Sequence, residues 1–333
     1  MTTIRRRDFL TRSAALAGAA LLPFSNSAHA EPPPEVTKLR LAPAPVLCTV
    51  PMRLAEDLLR LEGFKEIVYL GSSAESLGPN QVVAGTADFT QWDVAALLPM
   101  LDAGHPIQVV AGLHPGCQEL IGNDKVRTIR ELKGKRIGVS AFNNGDHIFI
   151  ASILAYVGIN PKEVKWVADT LNTASSLLEK GKVDAFMSFA PEPYDLRKRK
   201  TGHVILNLLE DKPWSQYFCC IVAGNRDFIR ANPVATKRFL RAMLKASDLC
   251  AAEPDRAAKY ETTKGMEKRY DVALEVIKQL PYGRWREANP EDTLRFHANR
   301  LHEVGMIRNS PNKLIAQGTD WRFLNELKRE LKA

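Results

Sequence analysis

The chain has 333 residues, with 46 Lys and Arg against 38 Asp and Glu and a formal net charge of +8. An apolar share of 45% and a charged share of 25% are those of a folded globular protein, which excludes a disordered or fibrous chain. The one dense basic cluster, Arg197-Lys198-Arg199-Lys200, has no interleaved aromatics; it reads as a solvated helix end and excludes nucleic acid as a partner.

Residues 1–30 read as an export signal. Arg5, Arg6 and Arg7 precede Asp8-Phe9-Leu10, then a weakly apolar run from Ala14 to Leu22, then the small-residue site Ser27-Ala28-His29-Ala30. Arg6-Arg7 before Asp8-Phe9-Leu10 resembles the twin-arginine signal, although Thr11 stands where a Lys often follows. The expected mature chain starts near Glu31 and is periplasmic. The first thirty residues hold four arginines against one aspartate, so the charge of the remainder falls from +8 to +5. No run of eighteen apolar residues follows residue 30, so no span of the mature chain is expected.

Short apolar strands then alternate with helical patterns, which predicts α/β layers. Leu39–Ala42 reads as a strand and Met52–Leu61 as a helix stopped by Gly63. A strand at Glu66–Leu70 runs into Gly71-Ser72-Ser73. Gln81–Ala84 ends a helix, and a short strand at Ala87–Phe89 leads into a loop of Gln91, Trp92 and Asp93. A helix spans Val94–Ala103, and an apolar strand from Ile107 to Gly112 ends at His114-Pro115-Gly116-Cys117. The pattern restarts with strands at Arg136–Ser140, Val164–Ala168 and Val183–Phe189. Asn143 to Asp146 stand where a helix cap belongs, before a helix from His147 to Tyr156, and Ala174–Lys180 is a further helix. Tyr217–Ala223 is a strand, and from Asn232 onward the pattern is helical. No internal sequence repeat is visible.

Five cysteines, Cys48, Cys117, Cys219, Cys220 and Cys250, carry no C-x-x-C. They read as small buried apolar residues rather than as a metal or redox site. No G-x-S-x-G, H-E-x-x-H, phosphate-binding loop or dinucleotide fingerprint is present, so neither catalysis nor a cofactor is expected.

The order of motifs resembles the periplasmic solute-binding proteins of ABC importers, in the nitrate/sulfonate/taurine group that also holds the thiamine pyrimidine-precursor proteins. Gly85-Thr86-Ala87-Asp88-Phe89 is like G-x-A-D-F. Gly104-His105-Pro106-Ile107 with Val109-Val110-Ala111 is like G-x-P-I-x-V-V-A. Glu131 to Val139 is like D-L-K-G-K-x-I-G-V, Gly158-Ile159-Asn160-Pro161 is like G-L-D-P, and Gly181 to Ala185 is like G-x-V-D-A, with Pro191-Glu192-Pro193 beyond. The resemblance implies a two-lobed α/β fold, the type II periplasmic binding protein, with two crossing strands and a helical C-terminal tail. The crossings are expected at Val109–Leu120 and Tyr217–Ala223. Expected boundaries are residues 31–113 for the first part of lobe 1, 114–222 for lobe 2, and 223–333 for the return to lobe 1 and the tail. It also implies a monomer that delivers a small solute to a permease and its ATPase, or that docks on a signalling receptor. The pyrimidine-synthesising relatives carry C-C-C-F-C. Here Cys219-Cys220 is followed by Ile221-Val222-Ala223, so that activity is not implied.

Ligands of open α/β sheets bind beyond the C-terminal ends of strands, at helix N-termini. That rule selects Cys48 and Thr49 after the first strand, Ser72 and Ser73 after the second, and Gln91, Trp92 and Asp93 after the third. It also selects His114 at the crossing, Asn143, Asn144 and His147 at a helix start, and Glu192 and Tyr194 after the strand Val183–Phe189. Asp93 serves equally as the cap of the helix at Val94, and Asn144 and Asp146 read first as caps. These loops hold Asp93, Asp146 and Glu192 and no Arg or Lys, a set suited to a neutral or cationic organic ring rather than to nitrate, sulfate or taurine.

Overall fold

The computed structural model describes residues 31–73, 76–169, 173–264 and 267–332. The export signal expected in residues 1–30 lies outside the described residues. Ten strands form two five-stranded sheets. The first comprises β1 (Lys38–Leu41), β2 (Glu66–Tyr69), β3 (Phe89–Asp93), β4 (Ile107–Pro115) and, far along the chain, β10 (Phe218–Asn225), in the order β2-β1-β3-β10-β4. The second comprises β5 (Gln118–Gly122), β6 (Arg136–Val139), β7 (Lys165–Ala168), β8 (Ala185–Phe189) and β9 (His203–Asn207), in the order β7-β6-β8-β5-β9. In each sheet four strands run in one direction and one runs against them, β10 in the first sheet and β5 in the second, and each of these is a strand by which the chain enters its sheet from the other.

The chain leaves the first sheet after Pro115 and re-enters it at Phe218. The first crossing is continuous except at Gly116 and Cys117, whose φ angles of 75° and 79° turn β4 into β5. Cys117 pays a left-handed strain that glycine avoids. The second crossing follows β9 and enters β10 through a short helical turn at Trp214–Gln216.

The two sheets are held by the same kind of clamp. Arg40 and Asp88 bond side chain to side chain, and the Arg40 amide donates to Asp88 Oδ2 at 2.7 Å. Arg136 and Asp184 do the same in the second sheet, with an amide bond of 2.9 Å, and both pairs are 48 residues apart. Each clamp ties the first parallel strand of its sheet to the residue before the third. The Arg136 guanidinium holds Asp184 down at about 2, against the effect of burial.

The helical tail completes the core. Phe239, Leu240 and Met243 of helix Pro233–Ala252 pack on Leu41, Phe89 and Val222, with Phe89 and Phe239 stacked at 3.9 Å. Helices Pro254–Lys264 and Tyr270–Gln279 cover Cys48, Cys219 and Cys220. Helix Pro290–Glu303 lies against helix Val94–Asp102 of the first lobe and helix Gly145–Tyr156 of the second, so one apolar core runs through both. The basic cluster ends helix Glu192–Arg199, where Arg197 pairs with Glu119 and Arg199 with Glu179.

Two sequence expectations change. Gln91, Trp92 and Asp93 are the last residues of β3, not a loop, because β10 pairs with them one for one, up to Cys220 opposite Asp93. Glu192 and Tyr194 lie in the first turn of a helix rather than in a loop, since Pro193 at that turn pre-sets helical φ and forfeits no bonded amide.

Candidate functional site

The cleft is walled from both lobes. Leu77, Asn80, Trp92, Ala96 and Met100 of the first lobe face Phe142, Asn143 and Asn144 of the second around a cavity of about 300 Å³. Trp92, 8% exposed, packs on Ala44 and Ala96 and offers its remaining face to this space. Its approach to helix Gly78–Val83 depends on Gly78, where a β-carbon would meet Trp92 Cε3 at 3.0 Å and Ala42 O at 2.6 Å. Asn143 takes a φ of 66°, and its amide donates to Nδ1 of His147 at 3.1 Å. Burial lowers the His147 pKa, so the ring is neutral and its Nδ1 is an acceptor.

Asp93 follows Trp92 and Asp146 stands two residues after Asn144, near enough for the Asp146 charge to act on Asp93. The Asp93 carboxylate accepts the Ala96 amide at 3.0 Å and so caps helix Val94–Asp102. It also lies against Gly145, the first residue of helix Gly145–Tyr156. Burial, with the neighbouring Cys220 and Asp146, raises Asp93 to about 7 against the Ala96 bond. Asp146 accepts from the Ser140 amide, the Ser140 hydroxyl and the His147 amide, and burial still leaves it above the usual carboxylate range. Asn144 holds the cap position, where its side chain makes no cap bond but donates to Ser140 Oγ at 3.2 Å.

A second group converges on one carbonyl. Gln91 Nε2, His114 Nε2 and Tyr282 Oη stand 3.4, 3.2 and 3.2 Å from Cys48 O. His114 Nδ1 faces Pro115 O at 3.1 Å, so both ring nitrogens meet acceptors, an environment for imidazolium. Burial opposes that charge, and the adjacent Cys220 outweighs it, leaving the His114 pKa raised. Hydrogen bonds from Cys117, Cys219 and Cys48, with the His114 charge, hold Cys220 well below the usual thiol range despite burial. Thr49 is buried and bonds Ala44 O at 2.8 Å.

The remaining candidates lie apart. Glu192 accepts from Ser188 Oγ at 2.8 Å. Tyr194 lines a different cavity of about 320 Å³ with Cys117, Gln118, Glu119 and Leu280. Ser72 is half-buried with an unpartnered hydroxyl, and Ser73 is exposed. The structure thus gathers Trp92, Asn143 and Asn144 at one cavity, with Asp93 and His147 beside them. Cys48, Gln91 and His114 form the second group.

Sequence reasoning missed Gln118. It is 1% exposed, and its amide nitrogen and oxygen both lack partners among the described residues, as does Gln91 Oε1. A buried amide without partners is costly unless something else supplies them. The only signal in the sequence was a polar residue inside an apolar crossing strand. In the sequence His114 and Cys117 stand three residues apart, but no spacing brings Cys48, Cys219 and Cys220 to them. Sγ of Cys48 and Cys220 are 3.6 Å apart, those of Cys117 and Cys219 2.8 Å apart. Cys48, His114 and Cys220 offer ligand atoms mutually within 4.8 Å, as do Cys117, Cys219 and Cys220.

Comparison with known proteins follows the same lines. The family described as NMT1/THI5 like matches residues 66–257. The 4-amino-5-hydroxymethyl-2-methylpyrimidine phosphate synthase THI5 of Saccharomyces cerevisiae is 29% identical over 171 residues, 47% of this chain and 49% of that protein. The chain spans about half the length of the curated relatives it matches. Among solved structures, the periplasmic nitrate-binding protein NrtA of Synechocystis PCC 6803 superimposes with a TM-score of 0.75 at 15% identity, covering 90% of each chain. The alkanesulfonate-binding protein SsuA of Xanthomonas axonopodis pv. citri, bound to MOPS, gives 0.69 at 16% identity, covering 88% of this chain and 99% of its own. At such identities the likeness is one of fold. The fold is the two-lobed periplasmic binding protein.

Proposed function

The chain belongs to the NMT1/THI5-like family, and we propose that it is the extracytoplasmic solute-binding subunit of an ABC importer. On this reading it is exported by the twin-arginine route, works as a monomer, captures a small organic solute between its lobes and hands it to a permease and its ATPase. The observation that carries the reading is the cavity of about 300 Å³ between the lobes, large enough for one small ring and walled by Trp92, Asn143 and Asn144. Closure of the lobes on the solute is the expected working motion.

The surroundings favour a neutral or cationic solute. Among the described residues that line the cavity none is Lys or Arg, and the two arginines beside the candidate groups are engaged, Arg53 by Glu261 at 2.9 Å and Arg197 by Glu119 at 2.8 Å. A sulfonate here would find no opposed cation. Trp92 supplies a stacking face for a flat ring or a cation.

A thermal-shift panel tests this on residues 31–333, with pyrimidines, amines, aromatic acids, nitrate, bicarbonate, taurine and sulfonates. A ligand at a hundred times its Kd stabilises by about 2.7 kcal/mol, or several degrees. A pyrimidine or amine response supports the reading, and a sulfonate or nitrate response refutes the charge argument while leaving the binding role intact. Turnover of the bound ligand, rather than its release unchanged, would replace binding with catalysis.

A further inference from the structure

Three of the four clustered cysteines stand where the chain passes between sheets, with Cys48 beside them from the turn after β1. Cys117 lies in the turn from β4 to β5, and Cys219 is the second residue of β10. Phe218 pairs with Pro115 in the antiparallel ladder, which sets the two thiols side by side. Their Sγ atoms are 2.8 Å apart across 102 residues of sequence.

That separation distinguishes two chemistries. Two thiolates on one tetrahedral zinc, each about 2.3 Å from it, stand about 3.8 Å apart. Cys48 and Cys220 approach that spacing at 3.6 Å, whereas Cys117 and Cys219 are a full ångström closer. Sulfurs held so close are poised to bond with each other. Cys117 is half-buried and lines the cavity of about 320 Å³, so a soluble reagent can reach it, while Cys219 is buried directly behind it.

We infer that Cys117 and Cys219 form a redox-controlled disulfide that staples the two lobe crossings together. The oxidant is a disulfide donor, either oxidised glutathione or a thiol–disulfide oxidoreductase. Cys117 Sγ attacks one sulfur of the donor and releases the first donor thiol. Cys219 Sγ then attacks Cys117 Sγ and releases the second. Two protein thiols lose two electrons and two protons, and the donor disulfide leaves as two thiols. The staple needs no bound solute. It rests on the export reading only for where the oxidant is met.

Purified full chain is equilibrated with oxidised or reduced glutathione, quenched by alkylation and mapped by peptide mass spectrometry. Under oxidising conditions a Cys117–Cys219 linked peptide, two mass units lighter than its parts, is expected. It should persist in Cys220→Ser and vanish in Cys117→Ser. Reduction of the wild type should lower Tm by roughly 5–10 °C, as expected for a loop of this size. Full alkylation of Cys117 and Cys219 under oxidising conditions overturns the proposal. So does a link to Cys220 or Cys48 instead, or a stoichiometric metal that co-purifies and shields these thiols. A failed export assay with the link intact in vitro would count against the compartment and not against the staple.

Discussion

The carboxylate of Asp93 presses on Gly145 across the cleft: a β-carbon on Gly145 would come within 2.5 Å of Asp93 Oδ1. The end of β3 and the start of a helix in the other lobe therefore meet only because residue 145 has no side chain. Gly145→Ala should destabilise this arrangement by about 1–3 kcal/mol, the usual range for overpacking. A double-mutant cycle with Asp93→Ala checks it. The cost of Gly145→Ala should largely disappear when the carboxylate is gone, and an undiminished cost would place the clash elsewhere.

The same carboxylate predicts a pH dependence. Asp93 ionises at about 7 in the folded chain against an ordinary value of 3.8. The folded state holds the extra proton between those values, so stability falls as pH rises from about 4 to about 7, and the deficit persists above. Asp93→Asn keeps a capping side chain and cannot ionise. Its Tm advantage over wild type should therefore grow from pH 4.5 to pH 7.5. An advantage that is constant across that range would show that Asp93 is not held neutral.

The sequence made the strand order legible, since turn residues and apolar runs mark nearly every element of the two sheets. It also made Asp93 legible as a cap, because an Asp directly before an apolar helical run has few other roles. What stayed hidden is tertiary. The strand His203–Asn207 follows a basic run and mixes buried with exposed residues, so no alternation marks it. Gln91 and Trp92 read as loop because the β10 partner that extends their strand lies over a hundred residues away. The cysteines come from three distant segments, and no spacing rule links Cys48 to Cys220 or Cys117 to Cys219. The paired Arg–Asp clamps were readable in principle, since Asp88 and Asp184 sit in like motifs with an Arg at the same distance before each.

His297 predicts an acid limit to the lobe packing. It lies on helix Pro290–Glu303, and its Nδ1 is 2.9 Å from Ser152 Oγ on helix Gly145–Tyr156. Burial lowers its pKa from 6.5 to about 3. The folded chain keeps the ring neutral while the unfolded chain takes up a proton, so stability is lost progressively as pH falls from about 6.5 to about 3. His297→Gln retains a polar partner for Ser152 and should flatten that limb of the Tm profile. A profile identical to the wild type would remove His297 from the account.

Arg53 and Glu261 join the tail to the loop that carries the Cys48 carbonyl. Their side chains are 10% and 0% exposed, with two bonds of 2.9 and 3.0 Å between guanidinium and carboxylate. Arg53 also donates to Thr49 Oγ1 at 2.9 Å and to Val46 O at 3.4 Å, so the pair braces residues 46–49. Attraction in such a buried pair is offset by desolvation, and its net worth is small. Removing one partner is a different matter, since it leaves an unopposed charge in the interior. Glu261→Gln should therefore cost about 3–5 kcal/mol in chemical denaturation. Replacing both residues with apolar ones of similar volume should recover most of that loss. If the double replacement is as damaging as the single, the pair acts by positioning the Cys48 loop, and hydrogen exchange at residues 46–49 should then rise in both variants.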